Sequence, residues 1–301
     1  MKVNSNVLPI TEDMISWSKE LGIRIIEKNN TTILDCSDGG YNAGALFSEV
    51  CMGGLGTVGF TEQKIGEIQF PAIQVHTDFP ILACLDCQKA DWQIKNSIGS
   101  GPARCLNNKE NRITKKSNEN YAIIALETSQ QPDRKVIQQI SEECEVNKED
   151  IFILYAPTNS LVGSIQISAR VIETAIHKVE RLDISVDNIE NGFGTAPIAP
   201  LSDSNQEALG KTNDAIIYGG SVTLHVKEMD DGFQNLVSKN SKDYGKLMIE
   251  VFKEADFDFY QIDDDFFAPA EVVINSKETG EIKHFGEKNP KILKKSFNME
   301  M

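Results

Sequence analysis

Two apolar runs, YAIIALE (residues 121–127) and IFILYAP (residues 151–157), limit most strongly what this chain can become. Both have strand length, both are rich in branched side chains, and the second stops at a proline, so both read as buried strands. Residues 133–144 between them read as a helix. A further helix starts near Ser168 and runs to Arg181. Alternation of strand and helix makes this a mixed α/β chain of the α+β type. At 301 residues it exceeds what one core usually fills, which implies two domains. The stretch NNKENRITKKSNEN (107–120) is polar, lysine-rich and without period, and reads as an exposed, mobile loop or interdomain segment. It places a soft boundary between an N-terminal α+β domain, residues 1–115, and a C-terminal α+β domain, residues 116–301, whose last segment is able to pack back on the first.

Earlier in the chain, residues 11–22 read as an amphipathic helix capped by Thr11 and closed by Gly22. Strands follow at 23–27 and 31–36 around an Asn29–Asn30 turn. FPAIQVHTD (70–78) reads as a strand and residues 82–92 as a helix. Ahead of that strand, Gly53 and Gly54 let backbone approach a ligand or a neighbouring strand, and tight packing explains them as well.

Composition excludes several functions. Net charge is −15, from 45 acidic and 30 basic residues, so a nucleic acid would be repelled at long range. The first residues, MKVNSNVLPITEDM, lack a signal-peptide core, and no run of eighteen uncharged apolar residues occurs, so a soluble cytoplasmic protein away from membranes is expected. Six cysteines scattered through a chain that is 40% hydrophobic fit reduced thiols. Cys84 and Cys87 form a CxxC, but no second pair or histidine cluster completes a zinc site, and no metal is expected. His76, His177, His225 and His284 read as structural or surface residues.

The chemistry concentrates in APTNSLVGSIQISARVIET (156–174). A strand ending at Pro157, a small polar turn from Thr158 to Gly163 and then a helix bring Arg170 and Glu173 near a strand end, where sheets commonly present catalytic groups. Three apart on a helix, they are neighbours, so the guanidinium can fix the carboxylate and stabilise its charge. Such a carboxylate could position and deprotonate a water; a surface ion pair is the plain alternative. Ser164, Gln166 and Ser168 alternate with Ile165 and Ile167, which suggests a short strand first.

Further candidates surround this pair. Glu49 lies in LFSEVCMGGL. IGSGPAR (98–104) reads as a rigid turn with Ser100 exposed, the amide of Gly101 available to an anion and Arg104 adding charge; a connecting loop is its simple alternative. GTAPIAP (194–200) echoes it and carries Thr195. In TNDAIIYGG, Asn213 and Asp214 precede a predicted strand Ala215–Tyr218 and suit recognition of an amide-rich heterocycle, or serve as cap and turn residues. Asp256, Asp258, Asp263, Asp264 and Asp265 are dense enough for a cation yet lack the calcium-loop spacing. Tyr260 and Phe267 could stack on a planar ring, although aromatics beside a strand are commonly core.

Taken in order, LFSEVCMGGL, IGSGPAR, APTNSLVGSIQISARVIET, GTAPIAP, TNDAIIYGG, DYGK (243–246) and FYQIDDDFFAPAEVVIN (259–275) make the chain resemble the methenyltetrahydromethanopterin cyclohydrolases. The region after Arg104 departs from that pattern. The resemblance implies reversible hydrolysis of the methenyl bridge to the formyl derivative, in archaeal-type one-carbon metabolism and methanogenesis, without redox cofactor or metal. It implies Glu173 as base and later acid, Arg170 as its orienter, and substrate contacts from Glu49, Ser100, Gly101, Arg104, Ser164, Gln166, Thr195, Asn213, Asp214 and Phe267. It also implies a homotrimer with the pterin held between two domains. The rival expectations are a pterin-binding protein without turnover and a cyclohydrolase for a folate-type carrier.

Overall fold

The computed structural model describes residues 1–95, 97–107, 118–256 and 261–299, and the chain divides into two compact units that exchange segments. Unit 1 comprises residues 1–57 and 81–166; unit 2 comprises residues 58–80 and 167–301. The change of composition near residue 115 therefore falls inside the sequence span of unit 1. Residues 108–117 of that stretch, together with Asp258 and Tyr260, lie outside the described residues.

Unit 1 begins with α1 (Val3–Ser16), α2 (Ser18–Leu21), β1 (Arg24–Lys28), β2 (Thr31–Asp35) and α3 (Tyr41–Cys51). The chain then supplies β3 (Gly56–Ile65) and β4 (Ile68–Thr77) to unit 2. It returns through a π-helix, Ile81–Gln88, to β5 (Trp92–Ile94), β6 (Ser97–Ser100), a 3₁₀ turn at Pro102–Cys105, β7 (Ala122–Glu127), α4 (Arg134–Cys144), β8 (Ile151–Ala156) and α5 (Leu161–Ser168). Unit 2 continues with α6 (Val171–Arg181), β9 (Ile189–Pro197), α7 (Asn205–Gly219), β10 (Ser221–Val226), α8 (Met248–Glu254), β11 (Glu271–Ser276), β12 (Ile282–Gly286) and α9 (Pro290–Ser296). Among the described residues no helix is long and apolar enough to cross a membrane.

In unit 1 the sheet order is β1-β2-β8-β7-β6-β5, with β2, β8 and β7 parallel at its centre. Ala122, Ile124 and Leu126 of β7 join the α4 core, while Ile123 and Ala125 join the core of α1 and α3. Apolar layers on both sides explain why β7 and β8 read as continuous apolar runs rather than alternating ones. Asn29 and Asn30 take φ of 52° and 65°, the left-handed pair that a two-residue hairpin needs.

Several local expectations change. The first helix begins at Val3 rather than Thr11; Thr11 is buried, and its hydroxyl donates to the Val7 carbonyl one turn back. Residues 164–168 are helical in α5, not a strand, because Ile165 lies where α5 meets α3 at Gly44; a Cβ on that glycine would sit 2.6 Å from Ile165. The predicted strand Ala215–Tyr218 is the last turn of α7, and β10 starts only after Gly220. The helix expected at 82–92 is the π-helix, in which the Lys89 amide bonds the Cys84 carbonyl five residues back at 2.9 Å.

Unit 2 has the sheet order β12-β11-β10-β9-β4-β3, with β10 and β11 parallel. Helix α6 lies against β4, β9 and β10. Helices α7, α8 and α9 share a core of Tyr218, Met248, Phe252, Phe266 and Leu293.

Candidate active site

Glu173 occupies the first turn of α6, and Arg170 is the residue that caps it. The Arg170 Nη1 and Glu173 Oε2 atoms stand 3.8 Å apart, and both residues are 8% exposed. That separation is an ion pair rather than a short hydrogen bond, and the burial sets it apart from the weak pairs of open surfaces. The first turn also sets the carboxylate at the positive pole of the helix, where an anion is stabilised.

Sequence chemistry in β9 makes this placement possible. A Cβ on Gly192 would lie 2.8 Å from Ile172 Cγ2, and one on Gly194 would lie 2.7 Å from Val171 Cγ1. Two bare positions thus let the start of α6 sit directly on the strand. The turn before α6 is fastened as well: the Ser168 hydroxyl donates to the Pro197 carbonyl at 2.9 Å, and the Arg170 amide to the Ile167 carbonyl at 2.9 Å.

The other candidates of unit 2 have varied settings. Thr195 follows Gly194 in β9, so its side chain points to the face of the strand away from α6. Asn213 and Asp214 sit within α7 rather than ahead of a strand. The Asn213 side-chain amide donates to the Leu209 carbonyl at 2.8 Å. Asp214 is 1% exposed and accepts from the Met248 amide at 2.9 Å and the Ser296 hydroxyl at 2.6 Å. Burial pushes its carboxyl up to about 7, against the pull of those two donors. Asp214 therefore ties α7 to α8 and α9. Phe267 is half-buried beside the core that contains Phe266.

In unit 1, Glu49 is half-buried on α3, and the Gly53 and Gly54 that follow adopt φ of 67° and 65° to close that helix. A Cβ there would strike Cys87 Sγ at 2.9 Å and Asn6 Nδ2 at 2.8 Å, so tight packing accounts for these glycines. Ser100, expected to be exposed, is 4% exposed because it ends β6 and pairs with Ala125. The Gly101 amide donates to the Cys87 carbonyl at 2.7 Å. Arg104 is fully buried, bonding the Leu85 carbonyl at 3.2 Å and Asp91 at 2.5 Å. The IGSGPAR segment is thus fitted against the π-helix by its own amide and guanidinium groups. Ser164 is 2% exposed, and Gln166 donates to Glu127 at 3.2 Å. Glu127 also accepts from Thr158 at 2.6 Å, so it organises the turn after β8. Sequence reading passed over Glu127; its signal was a lone acid ending an apolar strand.

Among the described residues no group of three His, Cys, Asp or Glu is placed to hold a metal ion. Within the carboxylate-rich segment, Asp265 pairs with Lys178 of α6 and Asp263 with Lys242. A surface cavity of about 310 Å³ in unit 2 is lined by His76, Asp78, Asn191, Phe193 and His225, and none of the sequence-selected candidates borders it.

Residues 2–297 match the family model described as Cyclohydrolase (MCH). The chain belongs to the methenyltetrahydromethanopterin cyclohydrolase family. A protein of that name from Methanoculleus marisnigri is 42% identical over 311 residues, covering 99% of both chains. One from Methanospirillum hungatei is 41% identical over 311 residues with the same coverage. A third, from Methanothermobacter marburgensis, is 40% identical over 320 residues, covering 99% of this chain and all of the relative. Similarity to these cyclohydrolases therefore extends across both units, including the turn and helix that carry Arg170 and Glu173.

Proposed function

We propose that this member of the cyclohydrolase family hydrolyses the methenyl bridge of methenyltetrahydromethanopterin to the formyl derivative, with Glu173 as the proton-transferring group. The observation that carries the reading is the buried Arg170–Glu173 pair at the start of α6, in a chain similar end to end to proteins named for that reaction. The bridging carbon of a cyclic amidinium is already electrophilic, so the chemistry asks for a placed water, a base and a returned proton rather than a metal or redox cofactor. Glu173 takes a proton as the water oxygen bonds to the bridge carbon. It then donates that proton to the leaving nitrogen as the carbon–nitrogen bond breaks, and the water's second proton is released as the formyl group forms. Arg170 holds the carboxylate in one orientation through these steps. Phe267 offers a ring face to the pterin.

The test is Glu173→Gln, which keeps shape and removes the base. Loss of the methenyl absorbance should slow by roughly a hundredfold to ten-thousandfold. A rate near wild type would refute the assignment. Arg170→Lys should also lose most activity while folding normally, because lysine lacks the planar fork. Running methenyltetrahydrofolate in parallel discriminates the carrier. Homotrimeric assembly, a cytoplasmic setting and a place in methanogenic one-carbon metabolism complete the proposal; light scattering of the purified protein tests the first.

A further inference from the structure

Lys178 is 4% exposed although it carries a full ammonium group, and it stands on α6 five residues beyond Glu173. Its Nζ pairs with the carboxylate of Asp265, whose side chain is 61% exposed. A lysine is buried at this cost only when a partner meets its charge, so the pair fixes where Asp265 must lie. Asp265 belongs to a short knot of chain. Its amide donates to Asp263 Oδ1 at 3.1 Å, the Phe266 amide to the Asp263 carbonyl at 2.9 Å, and the Ala268 amide to the Phe266 carbonyl at 3.0 Å. The Phe266 ring meets Tyr218 edge-on at 6.5 Å. Phe267 is thus held between a core anchor on one side and a bond to α6 two residues before it.

We propose that Lys178 and Asp265 are positioning residues, locking the segment that presents Phe267 to the helix that carries Glu173. This rests on the reading that Glu173 and Phe267 act on the substrate. The pair sets the separation between ring binding and proton transfer, two tasks performed by segments far apart in sequence. Neither residue touches the reacting atoms.

The experiment is a double-mutant cycle on the full-length protein, following methenyl absorbance. Asp265→Asn removes the charge from the exposed partner and keeps the shape. It should raise KM about fivefold while changing kcat by less than about threefold, as Phe267→Ala should through the lost ring contact. Asp265→Asn added to Phe267→Ala should then have almost no further effect, because the first acts only through the second. Lys178→Arg, which keeps the pair, should retain a near-normal KM. If Phe267→Ala leaves KM unchanged, the substrate role of Phe267 fails and the positioning role goes with it. If Phe267→Ala raises KM but Asp265→Asn only lowers the melting temperature, or adds its full effect independently, the positioning role alone is overturned.

Discussion

Replacing Asp214 by Asn should make the protein more stable at pH 8 and erase part of its pH dependence. The carboxyl is 1% exposed and its folded value lies near 7, against an ordinary 3.8, with burial as the largest cause. A raised carboxyl value means that the folded state keeps a proton the unfolded state has already lost. Stability is therefore full below about pH 4, falls as pH rises from 4 to 7, and is lowest above 7. At about 1.4 kcal/mol per pH unit, the charged carboxylate costs the fold on the order of 4 kcal/mol at pH 8. Asparagine keeps an oxygen for the Met248 amide and offers an N–H to the Ser296 hydroxyl, so both ties survive without the charge. Both tryptophans, Trp17 and Trp92, belong to unit 1, so fluorescence would follow the wrong unit. Urea unfolding by far-ultraviolet circular dichroism, with calorimetry alongside, is the suitable assay. The variant should match wild type within about 1 kcal/mol at pH 4, where the unfolded carboxyl has barely begun to ionise, and exceed it by a few kcal/mol at pH 8. A variant less stable at pH 8, or a wild-type curve flat from pH 4 to 8, would refute the reasoning.

Other expectations follow from packing. Gly194→Ala should cost about 1 to 3 kcal/mol, because the new methyl meets Val171, whose χ1 is stiff in a helix. The start of α6 must yield, so kcat should fall more than the melting temperature suggests, and unchanged kcat would separate the sheet glycines from the catalytic helix. All six cysteines are buried; burial raises the Cys36 thiol, and the hydrogen bond with Cys105 together with burial raises that of Cys87. Ellman's reagent should find no reactive thiol in the native protein and six after denaturation.

What the sequence made legible is what local pattern controls. Strands β7 and β8, the Asn29–Asn30 turn and the end of α6 at Arg181 were readable because each depends on adjacent residues. Ser164 to Ser168 misled because a helix packed on several sides buries residues without a 3.6-residue rhythm. Ala215–Tyr218 misled for a related reason: four apolar residues before a glycine pair suit a buried helix turn as well as a strand. The largest gaps were in long-range polar contacts. Asp214 meets partners 34 and 82 positions away, and Lys178 meets Asp265 across 87. No spacing rule reaches that far, so the fixed burial of Arg104 and Asp214 emerged only with the fold.

The early departure of β3 and β4 to a sheet completed much later has a consequence for synthesis. β4 ends at Thr77 and its neighbour β9 begins at Ile189, so this edge leaves the ribosome about 110 residues ahead of its partner, roughly 5 to 20 s at ordinary elongation rates. Throughout that interval the nascent hairpin presents Ile73 and Val75 with nothing to cover them. Slowed translation of residues 78–188 should therefore increase the demand for chaperones during biogenesis, even though the finished molecule has no such open seam along β4.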